Sequence, residues 1–387
     1  MISKGLKNHR LLKQSLRHLA IVGFSFAIVW CYALIALNLS FFNPVSEAIK
    51  SFSVTDIYYQ MMSEKESRLI TLVDLSHLYD RGLIAQAIEE IEACQPAVVG
   101  VDCIFEGEKE DSVKDNAVRD VAKKYNNIVF SYRLLEEKAD GNGYSRSIHS
   151  FFADKIDVHE GITNMQRDNL YNGIKRKLKA GWLLKGKKEP TLVGEIVNLY
   201  AQENLVDATD NDIRINFAPT HFNVITPSEI TQNKALIDGR IVLLGAMTDD
   251  VDMHNTPIGK MAGVQLLAYA TQTLLQNAQI SEPPIWIQGI MAMMLVILTN
   301  ILQMAYIGYT SRCKSPFIHY VIGSGYILGL FTFLWIALIM WISFLCFNLY
   351  NVSIETGWSI AAMAFLSTSR SFYAACEAYY KIWKERI

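Results

Sequence analysis

The chain carries no surplus of positive charge: 36 Lys and Arg face 38 Asp and Glu, a net charge of -2. A nucleic-acid partner needs a strongly basic face, so that class is set aside. Cysteine is sparse, at six residues, and builds no disulfide framework. Cys31, Cys346 and Cys376 lie in or beside apolar stretches, and Cys313 in a short basic loop. Cys94 and Cys103 flank one predicted strand, too far apart for a bridge, and read as small buried hydrophobes. Three catalytic signatures are missing: a phosphate-binding glycine loop, a nucleophile elbow and a zinc-binding helix motif. No internal repeat or low-complexity segment occurs.

Apolar residues are abundant instead. They make up 51% of the chain against 19% charged, and the excess sits at the two ends. His18–Leu39 is long enough to span a bilayer, which takes about 20 residues. Lys4, Lys7, Arg10, Lys13 and Arg17 precede it without any acid. A cleaved signal peptide would have an apolar region of about 7–15 residues and a small-residue cleavage site. Neither applies, so the segment reads as an uncleaved anchor with its amino terminus in the cytoplasm. Further spans are predicted at Ile285–Tyr309, Phe317–Phe347 and Trp358–Cys376. Arg312 and Lys314 mark one inner loop, and Lys381, Lys384 and Arg386 follow the last span. Arg370 lies inside that span, either as a snorkelling side chain or as a functional charge.

The expected plan is a cytoplasmic tail (1–17), transmembrane helices at 18–39, 285–309, 317–347 and 358–376, an extracytoplasmic domain (41–283) and a second tail (377–387). The fold class is an α/β extracytoplasmic domain with a central, mostly parallel sheet, plus four transmembrane α-helices. The location implied is a bacterial inner membrane with the large domain in the periplasm.

Within that domain, Leu69–Val73, Ala97–Phe105 and Ile241–Gly245 are continuous apolar runs, as expected of strands buried on both faces. Helices are predicted over Phe52–Met62, Gly82–Cys94, Asp111–Lys124, Thr191–Asn204 and Gly263–Gln276, and strands over Asn127–Tyr132 and Ile213–Phe217. The segment Arg133–Glu189 is polar and resists assignment. Its Lys175, Arg176, Lys177, Lys179, Lys185, Lys187 and Lys188 read as a solvated hairpin or as a grip for anionic lipid or polysaccharide.

Open α/β sheets bind ligands at the carboxyl ends of their strands. The candidate ligand-binding residues are therefore Asp74, Asp102, Asp252, His254 and Thr256, expected to converge at one sheet edge. Asp249 and Asp250 extend the cluster. Such groups can fix loops, bind a ligand, or hold a cation or share acid–base work. No metal, cofactor or catalytic residue is assigned.

The ordered residues resemble the type-2 CHASE family of extracellular sensory domains associated with cyclases and histidine kinases. They are Thr55-Asp56-Ile57-Tyr58, Leu72-Val73-Asp74, Pro96 to Asp102, Glu160-Gly161-Ile162-Thr163-Asn164, Asp168, Gly173, Arg176, Gly239 to Gly245, Asp252, His254, Thr256-Pro257 and Gly263-Val264. The resemblance implies one span before the domain and three after it. Where the family usually has an acid and a histidine, this chain has Gln265 and Leu267. The tail after the last span is too short for the output domain that usually follows. The resemblance thus implies a non-enzymatic sensor that recognises a small ligand or envelope partner and relays it to a separate effector. The competing reading is a scaffold subunit of an envelope complex. Expected partners are membrane lipid, the effector or complex subunit, and a second copy of the chain.

Overall fold

The computed structural model describes residues 2–38, 53–138, 143–165, 173–209, 211–248 and 252–386. Asp168, Asp249, Asp250 and the predicted end of the first span at residue 39 lie outside the described residues. The chain divides into two units, Tyr59–Ile280 and the remainder, Met1–Tyr58 with Ser281–Ile387.

In chain order, α1 (Ile2–Asn38) and α2 (Val54–Gln60) lead to β1 (Lys65–Asp74), α3 (Arg81–Glu92), β2 (Val98–Val101), α4 (Ser112–Lys124) and β3 (Ile128–Glu137). Five short strands follow: β4 (Tyr144–Ile148), β5 (His159–Ile162), β6 (Lys177–Lys179), β7 (Gly181–Leu184) and β8 (Lys187–Pro190). Next come α5 (Leu192–Ala201), β9 (Asp212–Arg214), β10 (Thr220–Ile225), β11 (Ile241–Gly245), the hairpin β12 (Met253–Thr256) and β13 (Gly259–Ala262), and α6 (Gly263–Leu275).

Asp80 starts α3 by accepting from the Gly82 and Leu83 amides, and Asp111 starts α4 in the same way through Val113 and Lys114. Such caps satisfy amides that a helix start leaves unbonded. Ile84, Ile88 and Ile91 of α3 and Val118 and Val121 of α4 bury against Val99, Val101, Val242 and Leu244. Each fully buried aliphatic side chain contributes about 1.5–3 kcal/mol. The opposite face is covered by α5 and α6: Ile196 lies against Gly100, and Val264 against Gly245.

The nine-stranded sheet runs β10-β1-β11-β2-β3-β4-β7-β8, with β5 also on β3. From β10 to β3 every pair is parallel, and β5 is parallel to β3. Beyond β3 the pairs β3–β4 and β7–β8 are antiparallel, and β4–β7 is parallel through the single pair Tyr144–Leu184. The expectation of a mostly parallel sheet therefore holds for the core, while the flank is mixed. The flank is built from the polar segment, where consecutive strands joined by short turns, β3–β4 and β7–β8, run antiparallel. Strand β11 is inserted between β1 and β2, so the first strand–helix–strand unit does not pair its own strands.

In the other unit, α7 (Ile285–Arg312), α8 (Gly325–Tyr350), α9 (Gly357–Ala364) and α10 (Leu366–Arg386) join α1. Among the described residues, three stretches are long and apolar enough to cross a membrane: Leu12–Leu34, Ile285–Arg312 and Gly325–Tyr350. The fourth predicted span falls short of that measure as a single helix. The predicted span Trp358–Cys376 breaks at Phe365 (φ -92°, ψ 3°) into α9 and α10. Its Ser367, Ser369, Arg370 and Ser371 lower its hydropathy. The long run from Phe317 is also divided. Phe317–Ile322 forms a π-helical turn, and Ser324 caps α8 through the Ile327 amide.

The broken helix nevertheless lies along α1. Arg17 sits over the Tyr373 ring, Phe24 meets Phe372, Ser25 bonds Ser369 at 2.8 Å, and Tyr32 stacks on Phe365. Rising numbers in α1 meet falling numbers in α9–α10, so the two run antiparallel. Arg370 is held by the bundle. Its Nη1 donates to Gln303 Oε1 at 2.7 Å and Asn300 Oδ1 at 3.2 Å on α7. Gln303 donates in turn to Thr332 of α8, and Asn300 is bonded to His18 of α1. One polar network thus ties four helices together.

Candidate functional site

The three apolar runs become adjacent parallel strands that end level with one another. Asp74 is in register with Gly245, and Leu244 with Val101. Neighbouring strands lie about 4.8 Å apart, so Asp74 and Asp102 flank Gly245 along one carboxyl edge. Val101 ends β2, and the Asp102 amide still donates to the Leu244 carbonyl at 2.8 Å.

Asp102 retains some surface, yet its carboxyl group is enclosed. It accepts from the Thr163 hydroxyl at 2.9 Å. Its pKa is pushed up to about 6, first by burial and then by repulsion from Asp252; the Thr163 bond and His254 oppose the rise. Burial disfavours the charged carboxylate, and a like charge adds to the effect. His254 Nε2 lies 3.3 Å from Asp252 Oδ1. Asp102, Asp252 and His254 therefore form one electrostatically coupled group. The adjacent Cys103 thiol is pushed up to about 12, chiefly by burial, which keeps it protonated and unreactive.

Two glycines make room for this group. A Cβ on Gly263 would lie 2.3 Å from Asp252 Oδ2, so only glycine at the first residue of α6 lets that carboxylate rest on the helix start. The positive end of the helix favours it there. A Cβ on Gly245 would lie 2.8 Å from Val264 Cβ, which requires the strand end and the helix start to stay in close contact. Gln265, at the position where the family usually has an acid, caps α6: its Oε1 accepts from the Ala262 amide at 3.1 Å. Leu267 is buried.

The other two candidates are committed elsewhere. Asp74 Oδ1 accepts from the Ser76 amide at 2.8 Å, the Ser76 hydroxyl at 2.5 Å and the Met247 amide at 3.2 Å, fixing the turn after β11. Thr256 lies one strand repeat beyond His254, and its hydroxyl donates to the Gly259 carbonyl at 2.6 Å, closing the β12–β13 hairpin. Among the described residues no group of three or more His, Cys, Asp or Glu side chains is spaced to hold a metal ion. The basic cluster includes a true hairpin, β7–β8, turning at Lys185 and Gly186 with positive φ at both.

Two contributors lay outside the sequence reading. Thr163 sits in a quoted motif, but nothing in its spacing points to Asp102. Asp115 forms a buried 2.6 Å ion pair with Arg81, whose guanidinium also donates to the Glu106 and Gly107 carbonyls. Asp115 also accepts from the Lys109 amide, so the pair anchors the loop that leaves β2.

A family model described as the CHASE2 domain matches residues 33–305. No curated protein and no solved structure matches the chain. The matched stretch covers well over half of the sequence and takes in every strand of the sheet, both glycines and the coupled Asp102, Asp252 and His254, and on that footing the chain belongs to the CHASE2 domain family.

Proposed function

We propose that the protein is a sensor anchored in a bacterial cytoplasmic membrane, with the sheet domain outside. The Asp102–Asp252–His254 edge recognises a small ligand or envelope partner, and the helix bundle relays the event to a separate effector. The observation that carries this reading is the coupling of an enclosed carboxyl group to a half-exposed carboxylate and a histidine at the carboxyl edge of a parallel sheet. A ligand that donates hydrogen bonds or carries positive charge changes the charge balance of all three groups at once. The edge serves recognition, with no nucleotide or phosphoryl turnover.

The antiparallel course of α9–α10 along α1 supports a fourth crossing, which puts both basic termini in the cytoplasm. A reporter active only outside the membrane should stay silent when fused after residue 386; activity there contradicts the topology. The site is tested by Asp252→Asn. A recognition site predicts near-wild-type stability and loss of ligand or partner response. A scaffold role predicts a stability loss of roughly 1–3 kcal/mol through missing charged hydrogen bonds.

A further inference from the structure

Away from the coupled edge, three side chains from the β3–β4–β5 region form a linear relay. The Ser147 hydroxyl lies 2.9 Å from His149 Nε2, and His149 Nδ1 lies 2.7 Å from Glu160 Oε2. The second Glu160 oxygen accepts from the Ser150 amide at 3.0 Å, which fixes the carboxylate. The His149 ring stacks on Tyr132 with centroids 4.2 Å apart, which fixes the imidazole plane. Glu160 is nearly buried at 11% exposure, while His149 is open at 40%. We propose that Ser147, His149 and Glu160 act as nucleophile, general base and orienting acid toward small, accessible carboxylic esters. This activity is independent of the sensor reading.

Each nitrogen of the imidazole has the partner such chemistry requires. A carboxylate on Nδ1 holds that proton and leaves Nε2 to accept the serine proton. Glu160 raises the His149 pKa above its ordinary value, mainly through this hydrogen bond, so the imidazolium formed during attack is stabilised. The strand register also suggests where an oxyanion donor would come from. The Leu134 amide donates to Asn164 Oδ1, and Asn164 Nδ2 donates to the Leu134 carbonyl. Leu134 pairs with Ser147, so it belongs to a pair that exchanges no ladder bonds. The alternation of antiparallel ladders then turns the Ser147 amide away from β3, toward the side of β4 where β7 pairs at Tyr144, three residues before Ser147. There it can donate to the oxygen of the tetrahedral intermediate.

In the reaction the Ser147 Oγ forms a bond to the acyl carbon while its proton passes to His149 Nε2. The acyl–oxygen bond to the alcohol then breaks, and the alcohol leaves with that proton. Water repeats the attack, His149 takes and returns its proton, and the carboxylic acid departs with Ser147 restored. The relay stands on an open face, which fits small activated esters and exposed ester groups.

The test uses the full chain in nanodiscs with a fluorophosphonate probe, and p-nitrophenyl acetate as substrate. Ser145 is the internal control, because it lies on the same strand with its hydroxyl on Glu136 and no imidazole. Labelling should map to Ser147 at a rate at least about tenfold above Ser145, and fall at least about tenfold in His149→Asn. Its rate should rise with pH through the His149 titration, and Glu160→Gln should lower both the plateau and the midpoint. Ser147→Cys should be alkylated by iodoacetamide faster when His149 is intact than when it is combined with His149→Asn. Labelling of Ser147 no faster than Ser145, or unchanged by His149→Asn, overturns the proposal.

Discussion

The sheet domain and the helix bundle each enclose a charge, and they handle it in opposite ways. At the sheet edge, Asp102 is enclosed beside another acid, and its pKa rises to about 6. The group can become neutral, so its charge is conditional. In the bundle, Arg370 cannot lose its proton under ordinary conditions, and the guanidinium is held by the neutral oxygens of Asn300 and Gln303. Its charge is permanent, and the helices are arranged around it. One unit is therefore built to change state and the other to hold its helices in register. That division suits the sensor and relay proposed above.

The largest effects are expected from stripping Arg370 and Arg81 of their partners. The double change Asn300→Leu and Gln303→Leu leaves the half-buried Arg370 charge without hydrogen bonds and should cost about 3 kcal/mol. Adding Arg370→Leu should recover most of the loss. Unfolding in a mixed-micelle titration measures both, and a triple variant as weak as the double would show that the charge is not the liability. In the sheet domain, removing the anchor with Asp115→Ala leaves Arg81 buried and unpaired, at about 3–5 kcal/mol.

The second contrast lies in pH. A carboxyl whose folded pKa is raised is destabilising when ionised. The penalty is absent below its unfolded value, 3.8, grows as pH rises toward about 6, and is constant above that. Asp102→Asn should therefore stabilise the domain by roughly 2–3 kcal/mol at pH 7 and by little at pH 4. Equal gains at both values would mean that the Asp102 charge is not conditional. Gly263→Ala should cost about 1–3 kcal/mol by pushing on the Asp252 carboxylate, with Asp252→Ala partly restoring it. The smallest effect belongs to Gln265→Ala, about 0.5–1 kcal/mol through the lost cap, with no change at the sheet edge. Calorimetry in nanodiscs resolves all three.

Much of the sheet core was legible because its strands are buried on both faces. Leu69–Val73 and Ile241–Gly245 have no residue to spare for solvent, so they read as strands without an alternating pattern. Their shared edge followed from parallel geometry, and Asp102, Asp252 and His254 meet there. Strand β10 was missed because it is the sheet edge: Val224 and His221 are exposed and break the apolar run. The flank β4 to β8 was missed because short strands rich in lysine and glycine carry no hydrophobic signal. Ser147 and His149, two residues apart, match no motif, since their relay depends on Glu160 reached through the fold. The last span reads as one apolar run, and its break at Phe365 was not legible, because its serines and Arg370 serve contacts between helices.

Asp102, Asp252 and His254 act as one charge-coupled group, and everything assigned to the sheet edge depends on that coupling. Site-resolved carbon NMR of the Asp102 carboxyl in the full chain reads it without intermediaries. The expected midpoint is near pH 6, falling in Asp252→Asn and rising in His254→Gln. A midpoint near the ordinary value of 3.8, or one indifferent to both substitutions, would contradict the coupling.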